Sequence, residues 1–207
     1  MRRQLVLASL ALAVAFAGSA AAEEDPHAKH RAMMKQPSES VPEAADIDLR
    51  DRTLVNQAGE EVRFVSDVIG DNIVVMDFVY TTCTTICPVL TALFSQVQGQ
   101  LGDRLGDEVV LVSVTVDPAR DTPERLQAYS SKHGARDGWV WLTGPKPTVD
   151  DVLTGVGAYS VNFEDHPSMM LIGDGRTGEW QRLFGFPSPD RIMAVVDELR
   201  KAREAGG

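Results

Sequence analysis

Two stretches of the chain, Asn72 to Tyr80 and Val109 to Val116, are almost continuously apolar, and each is followed by a helix signal. A strand that reads apolar at every position is buried on both faces, which is how parallel strands in a sheet covered by helices read. Behind the first stretch, Val89, Leu90, Leu93 and Val97 recur at helical spacing after Pro88, a residue suited to a first helical turn. Behind the second, which ends at Asp117-Pro118, Thr122 is placed to cap a helix opened by Pro123 and stopped at Gly134. Weaker signals surround this pair. Thr53–Val55 and Glu61–Val65 flank Asn56-Gln-Ala-Gly59 as a hairpin, and Trp139–Leu142 reads as a short strand. Thr148–Val156 reads as a helix. Met169–Ile172 and Glu179–Phe184 bracket Gly173–Gly178 as a second hairpin, and Ser188-Pro189 opens a final helix carrying Ile192, Val195, Val196 and Leu199. The expected fold is α/β: a central mixed β-sheet flanked by helices, with an N-terminal β-hairpin.

The chain ends are read separately. Arg2-Arg3, an apolar run from Leu5 to Ala17 and small residues through Ala22 form a secretory signal with an Ala-x-Ala site, so residues 1–22 are expected to be a cleaved leader. An uncleaved leader acting as a membrane anchor is the alternative. Residues 23–45 carry three prolines, many charges and no apolar period, and read as a mobile tail. That leaves one domain, residues 46–207. The whole chain has 207 residues and a formal net charge of −10, which excludes nucleic acid as a partner and favours one with a basic docking face. Apolar residues at 43% and charged residues at 24% are those of an ordinary globular protein.

The chain has two cysteines, Cys83 and Cys87, and both fall where the first buried strand turns into its helix. Ligands gather beyond the carboxyl ends of parallel strands, and a helix N-terminus lowers the pKa of a thiol. A plain structural disulfide would close too short a loop to stabilise much. Three intervening residues, Thr84, Thr85 and Ile86, let the sulfurs converge on a third atom as readily as on each other. His166, before the last hairpin, is the best further ligand in the domain, and a surface loop histidine is the competing reading. His133, beside Gly134, is expected to support a helix dipole. Should Cys83, Cys87 and His166 converge, two sulfurs and a nitrogen select Cu(I), with catalytic zinc as the rival. In the tail, His27, His30, Met33 and Met34 form a candidate second copper site, since imidazole and thioether suit both oxidation states of copper; the alternative is a solvated tail.

Cys83-x-x-x-Cys87-Pro88, the run from Ser113 through Asp117-Pro118-Ala-Arg-Asp121-Thr-Pro-Glu124, Trp141-Leu-Thr-Gly144, and Asp165-His166 together resemble the Sco/SenC copper chaperones, from about Asp46 to Leu199. The resemblance implies a thioredoxin-like fold and a copper site, Cu(I) or Cu(II), on Cys83, Cys87 and His166. It implies an exported, periplasmic metallochaperone for a copper-A centre of cytochrome c oxidase or a related copper enzyme. The expected partners are that oxidase subunit, another periplasmic copper chaperone and a thiol reductant. The other readings are a thiol-disulfide oxidoreductase with Cys83 and Cys87 as its redox-active pair, acting on the cysteines of a copper-A apoprotein, and a redox or copper sensor. The family's histidine is commonly followed by Ser, whereas here Pro167 follows. In thioredoxin-like enzymes a cis-proline stands at the matching position, so Pro167 is expected to be cis and to set His166 over the cysteines. Asp117 and Asp121 are read as ending a strand and starting a turn, with no catalytic role.

Overall fold

The computed structural model of the chain describes residues 41–206. Their strands β1 (Glu43–Ala44), β2 (Thr53–Asn56), β3 (Glu61–Arg63), β4 (Ile73–Val79), β5 (Val109–Thr115), β6 (Trp139–Thr143), β7 (Met169–Asp174) and β8 (Trp180–Phe184) join one sheet in the order β1-β8-β7-β4-β5-β6-β2-β3. The two apolar runs are its parallel centre: β4 pairs with β5 from Ile73↔Val109 to Val79↔Thr115, and β5 pairs in parallel with β6. Antiparallel strands extend both sides, β7, β8 and β1 beyond β4, and β2 and β3 beyond β6. This is the mixed sheet that the sequence pattern predicts and the thioredoxin-like fold that the resemblance implies, and β2–β3 is its N-terminal hairpin. The Asn56 side-chain oxygen accepts the N–H groups of Ala58 and Glu60, and Gly59 takes the positive φ of 82° that closes the turn.

Alternation along β4 sends its side chains into two cores. Val74, Met76 and Phe78 pack with α3 (Lys146–Gly155) and a π-helical turn at Phe64–Ile69. Ile73, Val75 and Val79 pack with α1 (Cys87–Leu101), α2 (Pro123–Lys132) and α4 (Pro189–Gly206). Thr122 caps α2 as expected, accepting the N–H of Arg125. Among the described residues, no helix is long and apolar enough to cross a membrane.

Four details differ from expectation. The strand expected over Glu61–Val65 stops at Arg63, because the Asp51 carboxylate accepts the N–H groups of Val65 and Ser66 and the Ser66 hydroxyl, bending the chain into the π-helical turn. The sheet takes up the chain at Glu43–Ala44, inside the stretch read as tail, by pairing with Gln181–Arg182 of β8. Helix α3 begins at Lys146 rather than Thr148, with Pro147 in its first turn. Finally, no peptide bond among the described residues is cis, so Pro167 is trans. His166, at φ −60° and ψ 144°, holds the extended conformation that a trans proline favours in the residue before it. The leader and the tail cluster His27, His30, Met33 and Met34 lie outside the described residues.

Candidate metal centre

The carboxyl ends of β4 and β5 and the amino end of β7 lie at the same edge of the sheet, because β7 runs against β4. Both sequence-singled segments open there: the Cys83–Cys87 turn follows β4 and the Asn162–Pro167 loop precedes β7.

Cys83 and Cys87 are buried and free. Cys87 is the first residue of α1, and its backbone N–H donates to Cys83 Sγ at 3.2 Å. Ile86, the formal cap, has no capping side chain, so the Cys83 sulfur takes that place at the positive end of the helix dipole. The hydrogen bond from the Cys87 side chain pulls the Cys83 thiol pKa well below its usual value; backbone N–H groups and Tyr80 add to this, against the effect of burial. The same bond, with burial, pushes Cys87 upward, so Cys87 holds the shared proton. The pair is thus asymmetric: a thiolate at Cys83 and a thiol donating to it at Cys87.

His166 is half-buried, and its Nδ1 lies 2.7 Å from the Phe163 carbonyl. A carbonyl only accepts, so Nδ1 carries the proton and Nε2 keeps a free lone pair, the form a metal takes. Tyr80 faces both halves of the site: its ring meets the His166 ring edge-on at 5.9 Å, and burial, then the Cys83 side chain, raise the pKa of its hydroxyl. Among the described residues, no three His, Cys, Asp or Glu side chains stand together at metal-binding spacing. The two sulfurs are therefore assembled, while the imidazole stands by, one tyrosine contact away.

Asp121 and Asp77 are the positions that sequence reasoning undervalued or passed over. Asp121 is 1% exposed, and its carboxylate accepts the Thr81 N–H, the Thr81 hydroxyl and the Thr115 hydroxyl, while its carbonyl accepts the Thr143 hydroxyl. It ties the base of the cysteine turn to the ends of β5 and β6; the reading of Asp121 as a turn starter captures its place but not this work. Asp117 bonds Arg120 at 2.8 Å, Arg120 lies over the Phe163 ring at 5.5 Å, and Phe163 packs edge-on against Tyr80. That chain of contacts fixes the loop bearing His166 to the β5 end. Asp77, in the middle of β4, is wholly buried: Ser113 donates to its Oδ1 at 2.6 Å, Trp139 Nε1 donates to Ser113, and Oδ2 has no partner. The signal was a lone carboxylate inside an apolar strand. His133 caps α2 through its backbone N–H and packs against the Tyr129 ring at 4.7 Å, and burial, then Lys132, lower its pKa.

The chain is 30% identical over 107 residues to the SCO1 protein homolog of Bacillus subtilis, covering 51% of this chain and 54% of that one, so it spans about half the length of that curated relative. Its fold matches the solved structure of BsSco, described as a member of the Sco family of cytochrome c oxidase assembly proteins with a disulfide switch. The TM-score is 0.64 at 23% identity, covering 77% of this chain and 96% of that one. It also matches the copper-bound ScoI of Bradyrhizobium japonicum, with a TM-score of 0.58 at 24% identity, covering 77% and 98%. A family model described as SCO1/SenC matches residues 43–182, which take in both cysteines and His166, and the chain belongs to the SCO1/SenC family.

Proposed function

We propose that this protein is an exported copper metallochaperone. It holds Cu(I) on the Cys83 and Cys87 sulfurs and His166 Nε2, and delivers it to the copper-A site of cytochrome c oxidase or a related copper enzyme. The observation that carries the proposal is the pair of buried, free cysteines at the head of α1, with the Cys87 N–H donating to Cys83 Sγ, and at the same edge of the sheet an imidazole whose Nδ1 faces the Phe163 carbonyl. Two soft sulfurs and one nitrogen suit three-coordinate Cu(I). Binding displaces the proton that Cys87 holds and brings the Asn162–Pro167 loop toward the sulfurs. The copper bound to ScoI and the oxidase-assembly role ascribed to the BsSco family support the cargo and the destination. A copper-A oxidase subunit, an upstream periplasmic copper chaperone and a thiol reductant are the partners this reading requires. His27, His30, Met33 and Met34 would form a second, weaker copper site.

The thiolate–thiol asymmetry also favours a second reading, thiol-disulfide exchange on a copper-A apoprotein. Cys83 thiolate attacks a target disulfide and expels one target thiolate. Cys87, deprotonated, then attacks the Cys83 sulfur and expels the other. The target gains two electrons as a dithiol and this protein becomes the disulfide, to be restored by a thiol reductant. Competition for Cu(I) against a chromophoric chelator separates the two readings. His166→Ala should weaken Cu(I) retention roughly 100-fold or more, since loss of even supporting partners of a ligand costs 10–100-fold. Weak binding indifferent to His166 would turn the assignment to disulfide exchange.

A further inference from the structure

Strand β1 runs antiparallel to β8, with Glu43 opposite Arg182 and Ala44 opposite Gln181. Followed toward the N-terminus, that register carries the chain past Phe184, at the edge of the sheet where the cysteine turn opens. β8 turns at Gly185, whose φ of 76° swings Phe186–Pro189 over the first turns of α1. Between that turn and α1 runs an open groove of about 430 Å³ lined by Pro88, Val89, Ala92, Leu93, Phe186 and Pro187. Its lining is mostly apolar, and it begins at the residue after Cys87. Val41, just before the chain enters the sheet, is 73% exposed.

Between Ala22 and Val41 the only large apolar side chains are Met33 and Met34. Three strand spacings of ~4.8 Å put β1 about 14 Å from β4. The seven residues from Met34 to Val41 reach about 23 Å when extended. We propose that residues 32–40 of this chain dock along the groove, with Met33 and Met34 seated against Val89, Ala92 and Phe186. This brings the thioethers, and His30 just upstream, to the first turn of α1 beside Cys87. The inference deepens the copper reading: it rests on that reading for its purpose, and makes the tail a capture arm that passes Cu(I) to the dithiol by ligand exchange, thioether and imidazole leaving as thiolate enters, with no change of oxidation state. Tethering supplies an effective concentration that a separate donor lacks.

The test is made on the full chain, reduced and free of copper, with methionine methyl groups carbon-13 labelled. The Met33 and Met34 methyls should sit away from random-coil positions and show nuclear Overhauser contacts to Val89 and Phe186, unchanged on dilution. Ala92→Glu, an exposed helix position that keeps the fold, should return both methyls to random-coil positions. Random-coil methyls in the wild-type chain, or contacts that vanish on dilution and so come from a second copy, would overturn the proposal. Because docking is read without copper and retention is read by chelator competition, either reading can fail alone. With Cu(I) added, Ala92→Glu should slow loading of the dithiol roughly tenfold or more while leaving its final affinity unchanged; an unchanged loading rate would remove the hand-off.

Discussion

Asp77 is an acid where an acid is costly. Burial raises its pKa to about 7, against the smaller opposing effect of the Ser113 hydrogen bond. An unfolded aspartate titrates near 3.9. Between about pH 4 and pH 7 the folded chain therefore holds a proton that the unfolded chain gives up, so stability falls as pH rises through that window and levels off above it. Asp77→Asn cannot lose a proton. Its stability relative to the wild type should rise from pH 5 to pH 8 by on the order of 3 kcal/mol, read as a thermal midpoint that moves up against the wild type's at the higher pH. A difference independent of pH would mean that Asp77 is not the titrating group. Its charge also bears on Cys87 and Tyr129, raising the pKa of both, so the carboxylate under the site feels the chemistry above it.

At the scale of elements, helix α4 is held by more than its apolar stripe. Arg203, near its C-terminus, bonds both carboxylate oxygens of Asp174 at the end of β7, at 2.5 and 2.6 Å, and the Asp71 carbonyl at 2.5 Å. Burial alone would raise the Asp174 pKa, but Arg203 and the N–H groups of Arg176 and Thr177 outweigh it and hold the pKa below its usual value. Arg203→Met keeps the packing volume but leaves a carboxylate with a 1% exposed side chain facing no cation, and should cost about 3 kcal/mol in urea unfolding. Since the Asp174 pKa is depressed, the pair's contribution is complete above about pH 4 and lost as pH falls through the folded value, so the variant should unfold with a shallower acid limb. Such features mark where sequence reading stops. β4, β5, α1 and α2 were legible because periodicity and punctuation act within ten residues, as Pro88 and Thr122 illustrate. The cysteine turn was legible for the same reason. Asp121's clamp joins Thr81, Thr115 and Thr143, and the Asp51 contacts that bend Phe64–Ile69 out of the strand act across more than ten residues. Neither leaves a local pattern to read.

For the whole molecule, the proposed ligand set divides unevenly between local and long-range structure. Cys83 and Cys87 are four residues apart, so in the proposed site the two sulfurs stay available to Cu(I) as a local pair even in the unfolded chain. His166 reaches the same edge of the sheet only because β7 pairs with β4, from Ile73↔Asp174 to Asp77↔Met170, and carries its preceding loop there. A ligand stabilises a fold only through the affinity that the unfolded state lacks. Copper held by the dithiol alone should therefore raise the unfolding temperature little, however tightly it binds, while copper that also engages His166 should raise it in proportion to the gain from the third ligand. With copper at a thousandfold excess over its dissociation constant the ceiling is about 4 kcal/mol, reduced by whatever the unfolded cysteines retain. At about 2–4 °C per kcal/mol for a chain of this size, the wild-type midpoint should shift by several degrees. The His166→Ala shift should collapse toward zero even where a chelator competition still finds bound copper. Equal shifts in the two proteins would take His166 out of the ligand set. They would leave the SCO1/SenC fold presenting a two-sulfur site whose metal affinity is carried by five consecutive residues.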